Sequence, residues 1–561
     1  MGTKNSLRFD VSEQPLVYTG KKVEDRFKQD RIIEFNHRHT EVLSNYDLEL
    51  VEGAIVTLDD RFNSKSNFGA LRNRQLRQSV IVAASLSAVA VALTGRGCLN
   101  SVPKDKVTKE VTENFKRAND RVSAQIMAEV LQTTTETMPA GEEVLIESTI
   151  TEGVRVKPGK EAGGNPTIAV GALFGKEEHR ARYGLPMPRP VSLLSMGNDV
   201  IDGTTKSIMG AHSSLTALFL TESNVKRHLP DIYVQRWMAG VHFEEFNPRS
   251  ISMVEAAEVI AKAYGYNNVD KLSAFFLDRP RHHIAMDQLN KANVATPYDK
   301  DGDLFPAIIL GSKGLSFPNG RGLNAMIGEI GGSAEWVTGV LPLVWRGGQA
   351  IGMLTSQSVL TRKDISPEEV WKERFHFTEE EYMLMQDARF EQKPYFTVQD
   401  ILDDPFAGGI AAFGCITDSI FLPFMKGVTI NENDNTIECN VLVVTSLGFM
   451  TWWPLKYKCI SGINRTRELM RSPKDALMAL NRNELEKAIG DIVNNPAAYK
   501  RYRWFFINEY YPALIPVRDK FVLLHKAVEG LIQRGALNEK DREIINITER
   551  LAQDSFVDSN Y

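Results

Sequence analysis

The run Ser79–Thr94 (SVIVAASLSAVAVALT) constrains the fold of this 561-residue chain more than any other segment. Its residues are apolar or small on every side, so no polar stripe is left to face water. A helix of that kind has to be enclosed by other elements. At about 16 residues it falls short of the roughly 20 that a membrane span needs, and it starts too far along the chain for a secretory signal. The expectation is a buried helix at the centre of a domain. With 43% apolar and 24% charged residues, the composition is that of an ordinary globular protein. A net charge of −5 supplies no general attraction to nucleic acid or to anionic membrane, and neither is expected as a partner. Cys98, Cys415, Cys439 and Cys459 form no CxxC pair, which argues against a zinc site and a disulfide framework. That usage suits a reducing compartment. The cytoplasm is expected and an organelle stays open, although the acidic residues of the first 60 positions argue against a transit peptide.

Residues 1–75 are mixed and charged without a long period, and read as an N-terminal extension packed on or near the main body. A second helix is predicted at Lys106–Gln132 and a strand at Glu143–Ile150. Residues 153–190 carry the Gly, Pro and charge of a loop or insertion. Strands predicted at Val191–Met196, Ser214–Leu220, Ala274–Leu277 and Ala307–Leu310 alternate with helices at Val254–Tyr264, His283–Ala292 and from Ala334. This alternation is that of a layered α/β domain. Residues 405–460 return to strand-like runs, Asn440–Val444 among them. The main domain is therefore read as 76–465, divisible into 76–205 and 206–465. From 466 to 561 the pattern is charged, Leu/Ile-spaced and helical. The apolar face of that extension must bury itself on the parent domain or on a second copy, and a homo-oligomer is expected.

The chemistry concentrates in Asp199-Val200-Ile201-Asp202-Gly203-Thr204-Thr205. Two carboxylates three positions apart, on a turn leaving a strand, can point at one small volume. The glycine permits a tight bend. Thr204 adds a hydroxyl and a backbone N–H. Hard cations such as Mg²⁺ take oxygen ligands and leave room for phosphate and water. The same string also reads as an ordinary Asx-type turn, and by itself it supports both readings.

The string resembles the D-P-[IL]-[DE]-G-[TS] signature of the lithium-sensitive phosphatases. Its neighbours resemble the class II fructose-1,6-bisphosphatase branch, in the family's order: His228-Leu-Pro-Asp231-Ile-Tyr233, then Leu277-Asp-Arg279-Pro-Arg281-His282, then Asp301-Gly-Asp303, then Gly331-Gly-Ser-Ala-Glu335, then Ala412-Phe-Gly414-Cys-Ile-Thr417-Asp418. The resemblance covers roughly residues 76–460, with an insertion near 164–190. It implies a sugar-phosphatase fold of five alternating helix and sheet layers, with helical extension beyond. It also implies hydrolysis of a sugar bisphosphate, fructose 1,6-bisphosphate first. Asp120, Glu147, Asp199, Asp202 and Glu335 would hold Mg²⁺ or Mn²⁺, and Thr204, with Asp120 and Glu147, would act in catalysis. Tyr233, Arg279, Arg281, Asp301 and Asp303, together with Thr204, would bind substrate. The chain departs from the family where G-E-G-E reads Ile146-Glu147-Ser148-Thr149, where the signature Pro is Val200, where Cys98-Leu99 replaces Asp-Lys, and where Trp336 follows Glu335. Another sugar or inositol phosphatase, or a catalytically degenerate structural subunit of the same fold, are the alternatives. His282 and His283 read as a helix-start pair rather than metal ligands. The glycines of 408–414 read as close packing within a sheet, and Trp452-Trp453 as core or interface.

Overall fold

The computed structural model of the protein describes residues 7–152, 167–168, 172–180, 190–225, 234–248, 250–330, 333–354, 393 and 395–471. At its centre is the helix Arg74–Thr94, 21 residues long. That is longer than the apolar run suggested, and by length and composition alone it could cross a membrane. What decides its place is burial: 94% of its most apolar window is enclosed within the protein. The Asn73 side chain accepts from the Leu76 N–H and starts the helix. Gly95 ends it, where a Cβ would lie 1.6 Å from Asn119 Oδ1. The small residues let other elements approach closely. Ser87 Oγ donates to the Ser123 carbonyl at 3.1 Å and Thr216 Oγ1 to the Ala84 carbonyl at 2.8 Å, so the hydroxyls buried here are satisfied. Gly414, in the strand Gly409–Cys415, is the matching device on the sheet: a Cβ there would meet the Ala84 carbonyl at 2.2 Å. The glycines of 408–414 are packing residues, as expected.

This helix and its neighbour Lys109–Glu136 cover one face of a large sheet. The strands run in the order Val23–Arg26, Leu48–Asp60, Phe449–Cys459, Thr436–Thr445, Gly409–Cys415, Leu215–Thr221, Ser192–Asp202, Val144–Thr151, Leu173–Phe174. All neighbours are antiparallel except Val144–Thr151 beside Ser192–Asp202. The helices Leu304–Ile309 and Ser333–Trp345 fill the opposite face. They pack in turn on a second sheet ordered Arg8–Asp10, Thr296–Asp299, Ala274–Leu277, Ala325–Ile330, Val234–Ala239, Gln349–Leu354. Beyond it lie Met253–Ala263 and His283–Lys291. Helix, sheet, helix, sheet, helix: the layered α/β expectation holds, with one apolar core under each outer helix layer and a third, around the middle helices, that reaches both sheets.

Three details differ from the sequence reading. Ala307–Leu310 is not a strand; it falls on the buried helix Leu304–Ile309 and its end. Four apolar residues cannot distinguish a strand from a fully enclosed helix by periodicity. The strand expected at Val191–Met196 continues to Asp202, so the signature acids belong to its end, at a register shift between Asp199 and Asp202. The N-terminal residues are woven into both sheets, Arg8–Asp10 in one and Leu48–Asp60 in the other. The C-terminal helical segment lies outside the described residues beyond position 471.

One buried base makes the fold sensitive to acid. His39, at the end of the helix Gln29–Arg38, is 2% exposed and lies 4.9 Å from the Phe35 ring. Burial above all, with Arg38 assisting and Gln78 opposing, lowers its pKa to about 4. Above pH ~6.5 both folded and unfolded forms hold it neutral. As pH falls from there toward 4 only the unfolded chain takes up the proton, so stability is lost across that window, on the order of 3 kcal/mol. Thermal unfolding of wild type and His39→Phe at pH 7 and pH 4.5 should show a distinctly smaller acid-induced drop in the variant. Equal drops would assign the acid sensitivity to other groups.

Candidate active site

The carboxylate cluster forms where strand ends from both sheets meet the helix Lys109–Glu136. That helix is pinned beside the Asp199–Thr204 segment at two points, Asn119 Nδ2 to Ser207 Oγ at 3.1 Å and Ser123 Oγ to the Val200 carbonyl at 2.7 Å. Asp120 lies between these pins, 3% exposed. Its Oδ1 is 3.3 Å from Thr204 Oγ1, which also lies 3.0 Å from the Ile201 carbonyl. Thr204 opens the short helix Thr204–Met209, and Gly203 makes the turn into it at φ 75°. Most residues resist that left-handed conformation, which is why glycine follows Asp202.

Asp199 and Asp202 are 1% and 4% exposed. The bland turn reading is half right. Asp199 Oδ1 accepts from the Ile201 N–H at 3.1 Å, as an Asx-type turn would, but its buried Oδ2 has no hydrogen-bond donor among the described residues. Asp202 is engaged by both oxygens, accepting from the backbone N–H of Asp303 at 3.3 Å and of Leu304 at 3.1 Å. It thereby fastens the Asp301-Gly302-Asp303 turn to the signature strand. Gly302 suits this turn by its φ of 76°, which other residues resist, while a Cβ there would stand in ordinary contact 3.4 Å from Asp202 Oδ2. Asp303 is 2% exposed and ion-paired with Arg236 Nη2 at 2.8 Å. Lys206 Nζ joins Asp299 at 2.6 Å, both almost fully buried.

Glu152 was not among the expected ligands. It follows the strand Val144–Thr151, where Thr151 is in register with Asn198, and its N–H donates to the Asn198 carbonyl at 3.2 Å. Its charge acts directly on Asp199 and Asp120. Burial first, then Glu152, pushes both carboxyls well above the ordinary carboxylate range. Asp202 is raised by burial and then by Asp303 and Asp301. Glu147, by contrast, is in register with Ser195, four strand positions before Asp199, or about 13 Å along the sheet. The structure brings Glu152 to the cluster and leaves Glu147 out of it. A signal was present: Glu152-Gly153 preserves the Glu-Gly pair of G-E-G-E, five positions later than the match at Glu147.

Arg279 and Asp301, in the turn that Asp202 fastens, are each about one-third exposed and 3.7 Å apart, and Arg279 also donates to the Lys300 carbonyl. Arg281 stands in the short turn Pro280–His282, and Glu335 in the first turn of Ser333–Trp345; their side chains, and Tyr233 altogether, lie outside the described residues. Trp336 points away into the core, packed edge-on against Phe396. His282 Nδ1 is 2.7 Å from the Leu277 carbonyl and His283 Nε2 is 2.8 Å from Asp278, which makes them the local helix-start pair expected. The donor set suits a hard divalent cation: it is all oxygen, buried and mutually repelling, and Asp199 Oδ2 and Asp303 Oδ1 lack donors among the described residues.

Alternating layers with a carboxylate cluster at their strand ends are consistent with a phosphatase-like α/β architecture. Residues 192–448 match the family model described as "Bacterial fructose-1,6-bisphosphatase, glpX-encoded". That stretch is therefore similar to a class II fructose-1,6-bisphosphatase domain, with further sequence on both sides of the match. Two curated relatives share the name D-fructose 1,6-bisphosphatase class 2/sedoheptulose 1,7-bisphosphatase. The one from Synechococcus sp. (strain JA-3-3Ab) is 27% identical over 156 residues, 28% of this chain and 43% of the relative. The one from Synechococcus sp. (strain JA-2-3B'a(2-13)) is 26% identical over 162 residues, with the same shares covered. The chain thus spans under half the length of the curated relatives it matches.

Proposed function

We propose that this chain is a divalent-cation-dependent phosphomonoesterase that removes a phosphate from fructose 1,6-bisphosphate or a closely related sugar bisphosphate. The observation that carries the reading is the gathering of Asp120, Glu152 and Asp199 from three separate segments around Asp199 Oδ2, a buried carboxylate oxygen with no donor among the described residues. Asp120, Glu152 and Asp199 would hold Mg²⁺ or Mn²⁺, with Asp202 and, from the opposite helix start, Glu335 completing the set. A cation bound there neutralises phosphoryl oxygens and acidifies water near neutral pH. Thr204, held by Asp120 or by the Ile201 carbonyl, orients the attacking water. Arg279 is exposed enough to fork onto the distal phosphate, and Asp301 keeps it extended toward that position. Asp303, restrained by Arg236, accepts from sugar hydroxyls, and Arg281 and Tyr233 complete the substrate contacts.

The test is phosphate release by the purified chain with Mn²⁺ from fructose 1,6-bisphosphate, sedoheptulose 1,7-bisphosphate and an inositol monophosphate. Mn²⁺-dependent release that favours the bisphosphates is expected. Arg279→Ala should raise KM for the bisphosphate about tenfold while kcat changes less than about threefold, because it removes a ground-state contact remote from the reacting phosphate. Mn²⁺ binding without release from any of the three would favour a catalytically silent subunit instead.

A further inference from the structure

A second cluster lies at the other end of the same strand. Glu143 immediately precedes Val144–Thr151, and Glu178 and His179 sit in the short helix Glu177–Arg180. One ligating atom from each comes within 4.8 Å of the others. His179 is 2% exposed, and neither ring nitrogen has a hydrogen-bond partner among the described residues. Its Nε2 is aimed between two carboxylates, 3.8 Å from Glu143 Oε1 and 3.7 Å from Glu178 Oε1. Those separations are too long for hydrogen bonds. They are close to the roughly 3.4 Å between neighbouring ligands of a tetrahedral ion with bonds of about 2.1 Å. A buried imidazole left without a partner is costly, and a shared cation removes that cost.

We propose that Glu143, Glu178 and His179 form a second divalent-cation site, suited to Zn²⁺ by its imidazole ligand, with a structural role. The all-oxygen pocket favours Mg²⁺ or Mn²⁺, whereas a mixed imidazole and carboxylate set favours zinc. Glu143 and Glu152 are nine strand positions apart, about 30 Å, so the two sites are independent. The ion clasps the insertion between the two parallel strands onto the sheet. The strand Leu173–Phe174 already pairs with Ile146 and Glu147, and Gly175 exchanges hydrogen bonds with the Gln132 side chain. Lys176 Nζ, 2.8 Å from Glu143 Oε1, is the positive group the ion would displace, and at 27% exposed it can turn to solvent. Cysteine usage argued against zinc, but this site draws on none of the cysteines.

Zn²⁺ binding is measured by calorimetry and by metal content after dialysis, in saturating Mg²⁺, for the full chain and for His179→Gln and Glu178→Gln. The Glu178 side chain is 63% exposed, so its replacement leaves the core untouched. Wild type should retain one zinc equivalent more than His179→Gln, and Glu178→Gln should bind that equivalent more than about tenfold more weakly. Equal stoichiometry and affinity in all three proteins, or no zinc retained by wild type, overturns the assignment. The result is independent of whether the chain releases phosphate from any sugar.

Discussion

Asp199→Asn is expected to lower Mn²⁺-supported phosphate release by about 10³-fold or more, roughly 4 kcal/mol of transition-state stabilisation, while making the metal-free protein more stable by about 1 kcal/mol. Both effects come from one charge. Burial, then Glu152 and Asp202, holds this carboxyl well above its ordinary range. A folded-state pKa raised in this way favours folding fully at low pH, and that contribution is lost as pH rises through the raised value. Metal-free wild type should therefore lose melting temperature with rising pH in a way that the variant does not. Added Mn²⁺ should restore the loss in wild type only. Thermal unfolding from pH 5 to 8, with and without Mn²⁺, reads all of this at once. A variant with an undiminished Mn²⁺-induced shift would remove Asp199 from the cation site.

The second large effect separates two glutamates five positions apart. Glu152→Gln should cost about 10²–10³-fold in kcat/KM, the loss typical of removing one charged group from a preorganised site, whereas Glu147→Gln should stay within about threefold of wild type. The register that sets Glu152 next to Asn198 and Glu147 opposite Ser195 is the reason. If the losses were reversed, the acid nearest Asp199 would not be the working ligand, and the G-E-G-E alignment at Glu147 would be preferred.

That pair also shows where the sequence was legible and where it was not. Asp199, Asp202, Gly203 and Thr204 are adjacent, so their convergence on one volume needed only local geometry. The helix Arg74–Thr94 was legible for a similar reason, since an all-apolar surface has to be enclosed. Asp120 could be placed only through the family resemblance, as the early acid on the helix before the strand Val144–Thr151. Glu152 depends on a parallel pairing between strands separated by an insertion, and a shift of a few residues in that pairing exchanges one glutamate for another. Arg236 on Asp303 and Lys206 on Asp299 were missed because each pair joins residues 67 and 93 positions apart. Leu304–Ile309 was misread because a short helix buried on all sides has lost the polar face that would give it away.

The pairing of Leu48–Asp60 with Phe449–Cys459 has a consequence for the birth of the protein. Gly53 stands opposite Leu455, so an early strand waits for a partner synthesised roughly 400 positions later. At about 5–20 residues per second, that wait lasts on the order of 20–80 s on the ribosome. Throughout it, the strand that buries Leu48, Leu50, Val56 and Leu58 in the finished protein has its Phe449–Cys459 edge unpaired, and the earlier strand Val23–Arg26 pairs only with Ala54–Thr57 on the other edge. The nascent chain thus carries an open, partly apolar strand edge for most of its translation. Such an edge needs protection while it waits, and a stalled or truncated product would expose it to aggregation.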